Sequence, residues 1–180
     1  TSRARWRRLA SAGNTFPRPC TRLLLEILDL LADPLDAAFD LDDVLDRNLF
    51  PHPEISAAAL ATRKLGLGVM GWADMLTLLG IAYNSREAIN LGGELMRQIS
   101  TAAYVASEKI ALTKGSFPAD PTATRRNATL TCIAPTGSIA QLANCSEGIE
   151  PYYALRGSRA LGDGTVYTFD VMRRLCDALP

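Results

Sequence analysis

The sequence has few of the residues that hold a structural metal or cross-link a secreted fold. Its 180 residues include one histidine and four cysteines, and the cysteines lie far apart with no Cys-x-x-Cys pair. This spacing argues against a structural zinc site, and at this length it does not indicate a disulfide scaffold. We therefore expect no metal site in the chain.

Net charge and long apolar runs are lacking as well. Nineteen Lys and Arg residues balance nineteen Asp and Glu residues, which argues against a nucleic acid or a membrane surface recruited by bulk charge. No apolar run approaches the roughly 20 residues that a membrane span needs. There is no signal-peptide pattern, so we expect a cytoplasmic protein or a piece of one.

What the sequence does contain is 48% hydrophobic residues, enough for one domain with a core. The first 20 residues are basic, punctuated by proline and glycine and without clear period, so we expect loop or disorder there. A helix is predicted over 21–32, with Pro34 ending it, and a short one over 41–47. Another is predicted over 54–64, with Pro53 in its first turn.

A glycine-rich apolar stretch, LGLGVMGWADMLTLLG at 65–80, contains a Gly-x-Gly-x-x-Gly pattern. A dinucleotide site would need a strand before this pattern and an acidic residue about 20 residues after it. A predicted helix precedes it, so we favour a buried helix whose small residues allow close packing. The apolar face of that helix is formed by Val69, Trp72, Ala73, Leu76 and Leu79.

The longest predicted element is a helix that starts at Asn84, where Glu87 completes a capping box, and stops at Gly115. Apolar residues recur along it at helical spacing: Ala88, Leu91, Leu95, Ile99, Ala102, Ala106 and Ile110. A loop follows over 116–124. After Pro151 the pattern predicts a hairpin that turns at 162–164 and then a last helix over 169–178.

The stretch RRNATLTCIAPTGSIAQLANCSEGIEP, at 125–151, offers a place for chemistry. It predicts a strand over 128–133 and a helix over 137–144, joined by small residues. The first turn of a helix leaves backbone N–H groups without intrahelical partners, so such a corner can hold an anion, usually phosphate. The donors would be the backbone N–H groups of Thr136, Gly137, Ser138 and Ile139.

The corner has an ordinary alternative. Thr136 or Ser138 can be the N-cap of a helix that binds no ligand, and local pattern alone favours this. If a phosphate is bound, the two hydroxyls add hydrogen bonds, and Pro135, which has no N–H, fixes the direction of approach. No Gly-Lys-Ser/Thr follows, so the corner is not a Walker loop and ATP hydrolysis is not indicated.

For most of the other reactive side chains we expect a role without chemistry. Cys132 is expected to be a small buried strand residue. Cys145 is expected to be a poor nucleophile, because the carboxylates of Glu147 and Glu150 disfavour its thiolate. His52, between two prolines, is expected in an exposed loop. Glu150 can bind either a backbone group or a substrate hydroxyl, and the sequence does not choose.

Two stretches together resemble the large catalytic chain of ribonucleotide reductase. They are TRKLGLGVMGWADMLTLLGIAYNS and RRNATLTCIAPTGSIAQLANCSEGIEP, and the second is most similar to the adenosylcobalamin-dependent (class II) branch. FPHPEI before them and YYALRGSRALGDG after them also fit. By this likeness residues 45–180 are a partial barrel domain, and 1–44 are a poorly matching, loop-like or disordered N-terminal segment.

The resemblance implies a portion of a ten-stranded α/β barrel, helix-rich in this segment. It implies that a cysteine thiyl radical, generated by adenosylcobalamin, abstracts the 3′ hydrogen of a ribonucleotide while a cysteine pair supplies electrons. Deoxyribonucleotides for DNA synthesis are the product. The implied partners are the ribonucleotide, a dithiol reductant such as thioredoxin and the remainder of the reductase chain. By resemblance the substrate's phosphates are bound by Pro135, Thr136, Gly137, Ser138 and Ile139.

The chain also departs from the family. The radical cysteine of the family lies in an Asn-x-Cys-x-Glu setting, and no such triplet occurs here. Cys20 is a redox-cysteine candidate by position alone, because the residues around it do not match. We therefore assign no catalytic residue and expect the chain alone to be inactive. The alternative is an inactive nucleotide- or phosphate-binding remnant, or an interaction piece of a split reductase.

Overall fold

A computed structural model of the chain describes residues 34–160, 164 and 166–178. This part is helix-rich, as expected, with six helices and one two-stranded sheet. The helix predicted over 21–32 and the candidate Cys20 lie outside the described residues. In chain order the elements are α1 (Pro34–Arg47), α2 (Pro53–Thr62), α3 (Trp72–Leu78), α4 (Arg86–Lys114), α5 (Gly137–Leu142), β1 (Arg156–Ala160), β2 (Val166–Asp170) and α6 (Val171–Ala178).

Proline and a left-handed residue set the ends of the first two helices. Pro34 begins α1, since a proline at the first helical position loses no intrahelical bond. Pro53 begins α2 as predicted, and the exposed His52 precedes it. The predicted end of α2 at Lys64 is two residues too late, because Arg63 turns to φ 46 and stops the helix.

The long helix α4 is confirmed, with one shift at its start. Ser85, not Asn84, is the N-cap, and its hydroxyl accepts from the Ala88 N–H at 3.1 Å. The helix ends at Gly115 as predicted. Its buried face consists of Ala88, Leu95, Ile99, Ala103, Ala106, Ser107 and Ile110. The N-terminal half of this face forms a core cluster with α3, and α1 packs against α4.

The prediction of one buried helix over 65–80 is wrong. Residues 65–71 are not helical, and α3 covers only the second half of the stretch. Leu67 instead forms a parallel bridge with Thr131, and its carbonyl accepts from the Cys132 N–H at 3.1 Å. The strand predicted over 128–133 is reduced to this single bridge.

Two glycines allow these segments to approach. A Cβ atom on Gly68 would lie 2.6 Å from the carbonyl oxygen of Cys132, and one on Gly66 would lie 2.7 Å from its Sγ. Both distances are shorter than real Cβ contacts. A side chain at Gly68 would therefore require a shift of the backbone, and one at Gly66 a shift of the Cys132 side chain. The glycines therefore serve a strand-to-strand contact and not the packing of a helix.

The C-terminal part forms the predicted hairpin. β1 and β2 pair antiparallel, with Arg156 opposite Asp170 and Ala160 opposite Val166, and α6 follows directly. Of the predicted turn, only Gly164 is among the described residues. None of the helices that the structure describes combines the length and hydropathy that crossing a bilayer requires.

Candidate functional site

The predicted corner is present, with a shorter helix than expected. α5 begins at Gly137 as predicted but ends at Leu142, two residues before the predicted end. Thr136 is at its N-cap position with φ −120 and ψ 27, and its carbonyl accepts the first helical bond from Ala140 at 2.7 Å.

The hydroxyl of Thr136 does not cap this helix. It accepts instead from the N–H of Gly148 at 2.7 Å. Thr136 is therefore the N-cap residue, as the ordinary alternative expected, but its side chain makes no capping bond. A hydroxyl has one hydrogen and two acceptor lone pairs. With one lone pair used by Gly148, the Thr136 hydroxyl keeps its hydrogen for another partner.

All five residues predicted to bind phosphate line one opening. Pro135, Ser138 and Ile139 are exposed, while Thr136 and Gly137 are half-buried. They line a cavity of about 480 Å³, together with Gln141 and Glu147. Among the residues that line it there is no basic side chain and one carboxylate. An anion here would therefore depend on backbone N–H groups and hydroxyls, against the charge of Glu147.

Residues 146–148, which include the Gly148 that contacts Thr136, are hydrogen-bonded to the start of α3. The Ser146 carbonyl accepts from the Gly71 N–H at 2.8 Å, and the Ser146 hydroxyl accepts from the Asp74 N–H at 3.3 Å. In return the Asp74 carboxylate accepts from the Ser146 N–H and from the Tyr152 hydroxyl. Sequence reasoning missed Asp74, because the single-helix prediction placed it in a helix interior and not in a first turn.

Gly148 has a conformation that favours glycine. Its φ is 46, in the left-handed region, and a Cβ atom there would lie 3.2 Å from the carbonyl oxygen of Ala134. The carbonyl of Gly148 accepts from the Trp72 N–H at 3.4 Å, and that of Ile149 accepts from the Tyr83 hydroxyl at 2.7 Å. The residues after α5 therefore contact both the corner and α3.

None of the cysteines in the part of the chain that the structure describes lines the cavity of the corner. Cys132 is exposed, not buried as predicted, because the strand expected around it is reduced to one bridge at Thr131, and its thiol donates to the Gly66 carbonyl at 3.2 Å. Cys145 is half-buried and lines a second cavity with Glu147 and Glu150. The role of Glu150 stays a prediction.

An acidic group that sequence reasoning did not single out joins α1 to α2 and α4. Asp42, Asp43 and Asp46 place their carboxylates within 4.8 Å of one another. Cations already accompany them: Lys114 Nζ lies 2.6 Å from Asp43, and Arg63 lies 2.8 Å from Asp42. Burial opposes ionisation of Asp46, but hydrogen bonds from Arg63 and Lys114 outweigh it and lower the Asp46 pKa.

Comparison with known proteins gives a consistent family. The family model described as ribonucleotide reductase, barrel domain, matches residues 36–120 and 122–179. A vitamin B12-dependent ribonucleoside-diphosphate reductase of Mycobacterium tuberculosis (strain ATCC 25618 / H37Rv) is 48% identical over 127 residues, covering 67% of this chain and 18% of that protein. A reductase of the same description from Thermoplasma acidophilum is 45% identical over 131 residues, covering 69% and 17%.

A solved structure agrees in fold. The class Id ribonucleotide reductase alpha subunit of Actinobacillus ureae superposes with a TM-score of 0.63 at 29% identity, covering 68% of this chain and 25% of that chain. The chain thus spans a quarter or less of the length of these relatives.

Proposed function

Because the chain belongs to the ribonucleotide reductase barrel-domain family, we propose that it is part of a ribonucleoside-diphosphate or -triphosphate reductase and supplies the loop that binds the substrate's phosphates. The observation that carries this proposal is the shared cavity of about 480 Å³ that residues 135–139 line. The product would be deoxyribonucleotides, since the relatives are named ribonucleoside-diphosphate reductases.

The corner would hold phosphate by directed hydrogen bonds and not by a counter-charge. N–H groups in the first turn of a helix, here those of Gly137, Ser138 and Ile139, are the usual donors to phosphate oxygens. The hydroxyls of Thr136 and Ser138 would add two more donors. Hydrogen bonds to a charged partner contribute about 1.5–3 kcal/mol each, so these donors suffice without a lysine.

The radical chemistry would be supplied from outside these 180 residues. Two relatives carry the description vitamin B12-dependent, so we take adenosylcobalamin as the radical source of the whole reductase. The side chains of this chain do not fit adenosylcobalamin as a radical source, because the Asn-x-Cys-x-Glu triplet whose cysteine would receive the radical is absent. This chain's share is therefore to bind and orient the ribonucleotide.

The remaining partners follow from the same assignment. The rest of the reductase would complete the barrel, and a dithiol such as thioredoxin would restore its redox cysteines. We also propose a cytoplasmic enzyme. The balanced charge of the chain argues against a nucleic acid or a membrane surface recruited by bulk charge. The second candidate, an inactive remnant or an interaction piece of a split enzyme, is supported by the missing triplet.

Calorimetric titration tests the phosphate loop. We expect ADP to bind the chain and adenosine, which has no phosphate, to bind much more weakly. Ser138→Ala should weaken ADP binding by about tenfold, the effect of one lost hydrogen bond to a charged group. Thr122→Ala, which removes a hydroxyl in an exposed loop outside the cavity lining, is the matched control and should leave ADP affinity unchanged. Equal affinity for ADP and adenosine would contradict the proposal.

A further inference from the structure

Asp74 hydrogen-bonds to residues 146 and 152 through both of its carboxylate oxygens and through its backbone N–H. One carboxylate oxygen accepts from the Tyr152 hydroxyl, and the other accepts from the Ser146 N–H. The Asp74 N–H donates in turn to the Ser146 hydroxyl at 3.3 Å. Asp74 and Ser146 lie 72 positions apart in sequence, so these bonds join two separate parts of the fold.

The same segment occupies the start of α3. The first N–H groups of a helix have no intrahelical acceptor. At the start of α3 the N–H groups of the N-cap Gly71 and of Trp72 donate to the carbonyls of Ser146 and Gly148, and the Asp74 N–H donates to the Ser146 hydroxyl. Ser146 and Gly148 are buried. The position of residues 146–148 is therefore fixed by α3.

From α3 the connection continues to the corner. The Gly148 N–H donates to Thr136 Oγ1 at 2.7 Å, and it does so from a left-handed conformation with φ 46. A Thr hydroxyl that accepts one hydrogen bond has its rotation restricted, so its own hydrogen points away from that donor. Thr136 lines the cavity of the corner, and its hydrogen is then available to a bound anion.

We propose that Asp74 is a positioning residue for the phosphate loop. It holds Ser146 and Tyr152, which fix Gly148 against the Thr136 hydroxyl and thereby orient that hydroxyl toward phosphate. This inference rests on the proposed function. Asp74 itself does not line the cavity, so it acts on the ligand only through Thr136.

A double-mutant cycle tests this connection, with ADP as the probe and calorimetry as the measurement. Asp74→Asn keeps the size of the side chain but replaces one acceptor oxygen by a donor. We expect it to weaken ADP binding by about tenfold, as the loss of one hydrogen bond to a charged group would. In a Thr136→Val background, the same substitution should change the affinity less than about twofold, because the oriented hydroxyl is already absent.

Controls separate positioning from damage to the fold. Asp120→Asn removes a carboxylate that accepts from Thr122 in an exposed loop, and it should leave ADP affinity unchanged. Tyr152→Phe removes one of the bonds to Asp74 and keeps the Ser146 bonds. We expect this milder variant to weaken ADP binding by about threefold and to follow the same non-additive pattern. Tyr152→Phe replaces Asp74→Asn as the test variant if circular dichroism shows that Asp74→Asn does not fold.

The outcomes separate the positioning role of Asp74 from the phosphate-binding role of residues 135–139. Weakening by Asp74→Asn that disappears in the Thr136→Val background supports the positioning role. Equal weakening in both backgrounds, or none in either, would overturn that role and leave the phosphate loop intact. Failure of the unsubstituted chain to bind ADP would overturn the proposed function and this inference with it.

Discussion

The side chains of Asp42 and Arg63 form the most buried ion pair that the structure describes. Their exposed fractions are 0% and 3%, and Asn127 donates a further bond to the same carboxylate oxygen at 2.8 Å. Breaking a buried pair by removing one partner leaves an uncompensated charge, at a cost of about 3–5 kcal/mol.

Asp42→Asn is therefore expected to lower the free energy of unfolding by about 3 kcal/mol, measured by urea denaturation. The matched control is Asp43→Asn, because Asp43 is 57% exposed and, among the described residues, forms an ion pair with the half-exposed Lys114 alone. Exposed pairs contribute about 0–1 kcal/mol. Equal losses in the two variants would show that burial does not decide the strength of these pairs.

The neighbouring Asp46 makes stability depend on pH. Its pKa is lowered in the folded chain from the ordinary value of 3.8, so its charged form contributes stability above that value. This contribution is lost as pH falls through the lower folded pKa. We expect the difference in unfolding free energy between the native chain and Asp46→Asn to be constant near neutral pH and to shrink below about pH 4. A difference that grew on acidification would contradict this.

At the scale of elements, the parallel contact between residues 65–68 and 129–132 depends on a missing side chain. A Cβ on Gly68 would meet a backbone oxygen at 2.6 Å, and forcing extra atoms into packed structure costs about 1–3 kcal/mol. We expect Gly68→Ala to lower the unfolding free energy by about 2 kcal/mol in urea denaturation.

The control for this substitution is a glycine with space around it. Gly93 lies within α4, and a Cβ there would meet no atom within 4 Å. Alanine in a helix is favoured over glycine by about 0.5–1 kcal/mol, so Gly93→Ala should stabilise the chain. If both substitutions destabilise it alike, the close approach at Gly68 is not the cause.

Elements with local signals were predictable, and those set by distant contacts were not. Gly115 ends α4 and Pro53 begins α2 because a glycine and a proline act on their own backbone. The stretch 65–80 has helical spacing of apolar residues, yet its first half extends to meet Thr131. That pairing joins residues 64 positions apart, and no periodicity within either segment reveals it.

The candidate site divides in the same way. The backbone geometry near Gly137 follows from small residues between a β-branched run and a helical one, so the corner was predictable. The partner of Thr136 was not, since it is the N–H of Gly148 from beyond α5. Asp74 was missed because the residues that hydrogen-bond to its carboxylate, Ser146 and Tyr152, are both more than 70 positions away in the sequence.

At the scale of the whole molecule, the chain should bind substrate without converting it. It covers 18% of the Mycobacterium reductase and lacks the Asn-x-Cys-x-Glu triplet. Supplied with adenosylcobalamin, a dithiol and a ribonucleoside diphosphate, the purified chain is expected to form no deoxyribonucleotide, as measured by chromatography. Turnover above that of a heat-denatured sample would show that it contains a radical site of its own.

The central claim is that residues 135–139 hold the substrate's phosphates, and amide NMR during titration with ADP tests it most directly. We expect concentration-dependent shifts of the Gly137, Ser138 and Ile139 amide resonances that saturate together, with small changes at Gly115. Adenosine should leave the three resonances in place. If saturating ADP shifted other amides and left these three unmoved, residues 135–139 would not be the phosphate site.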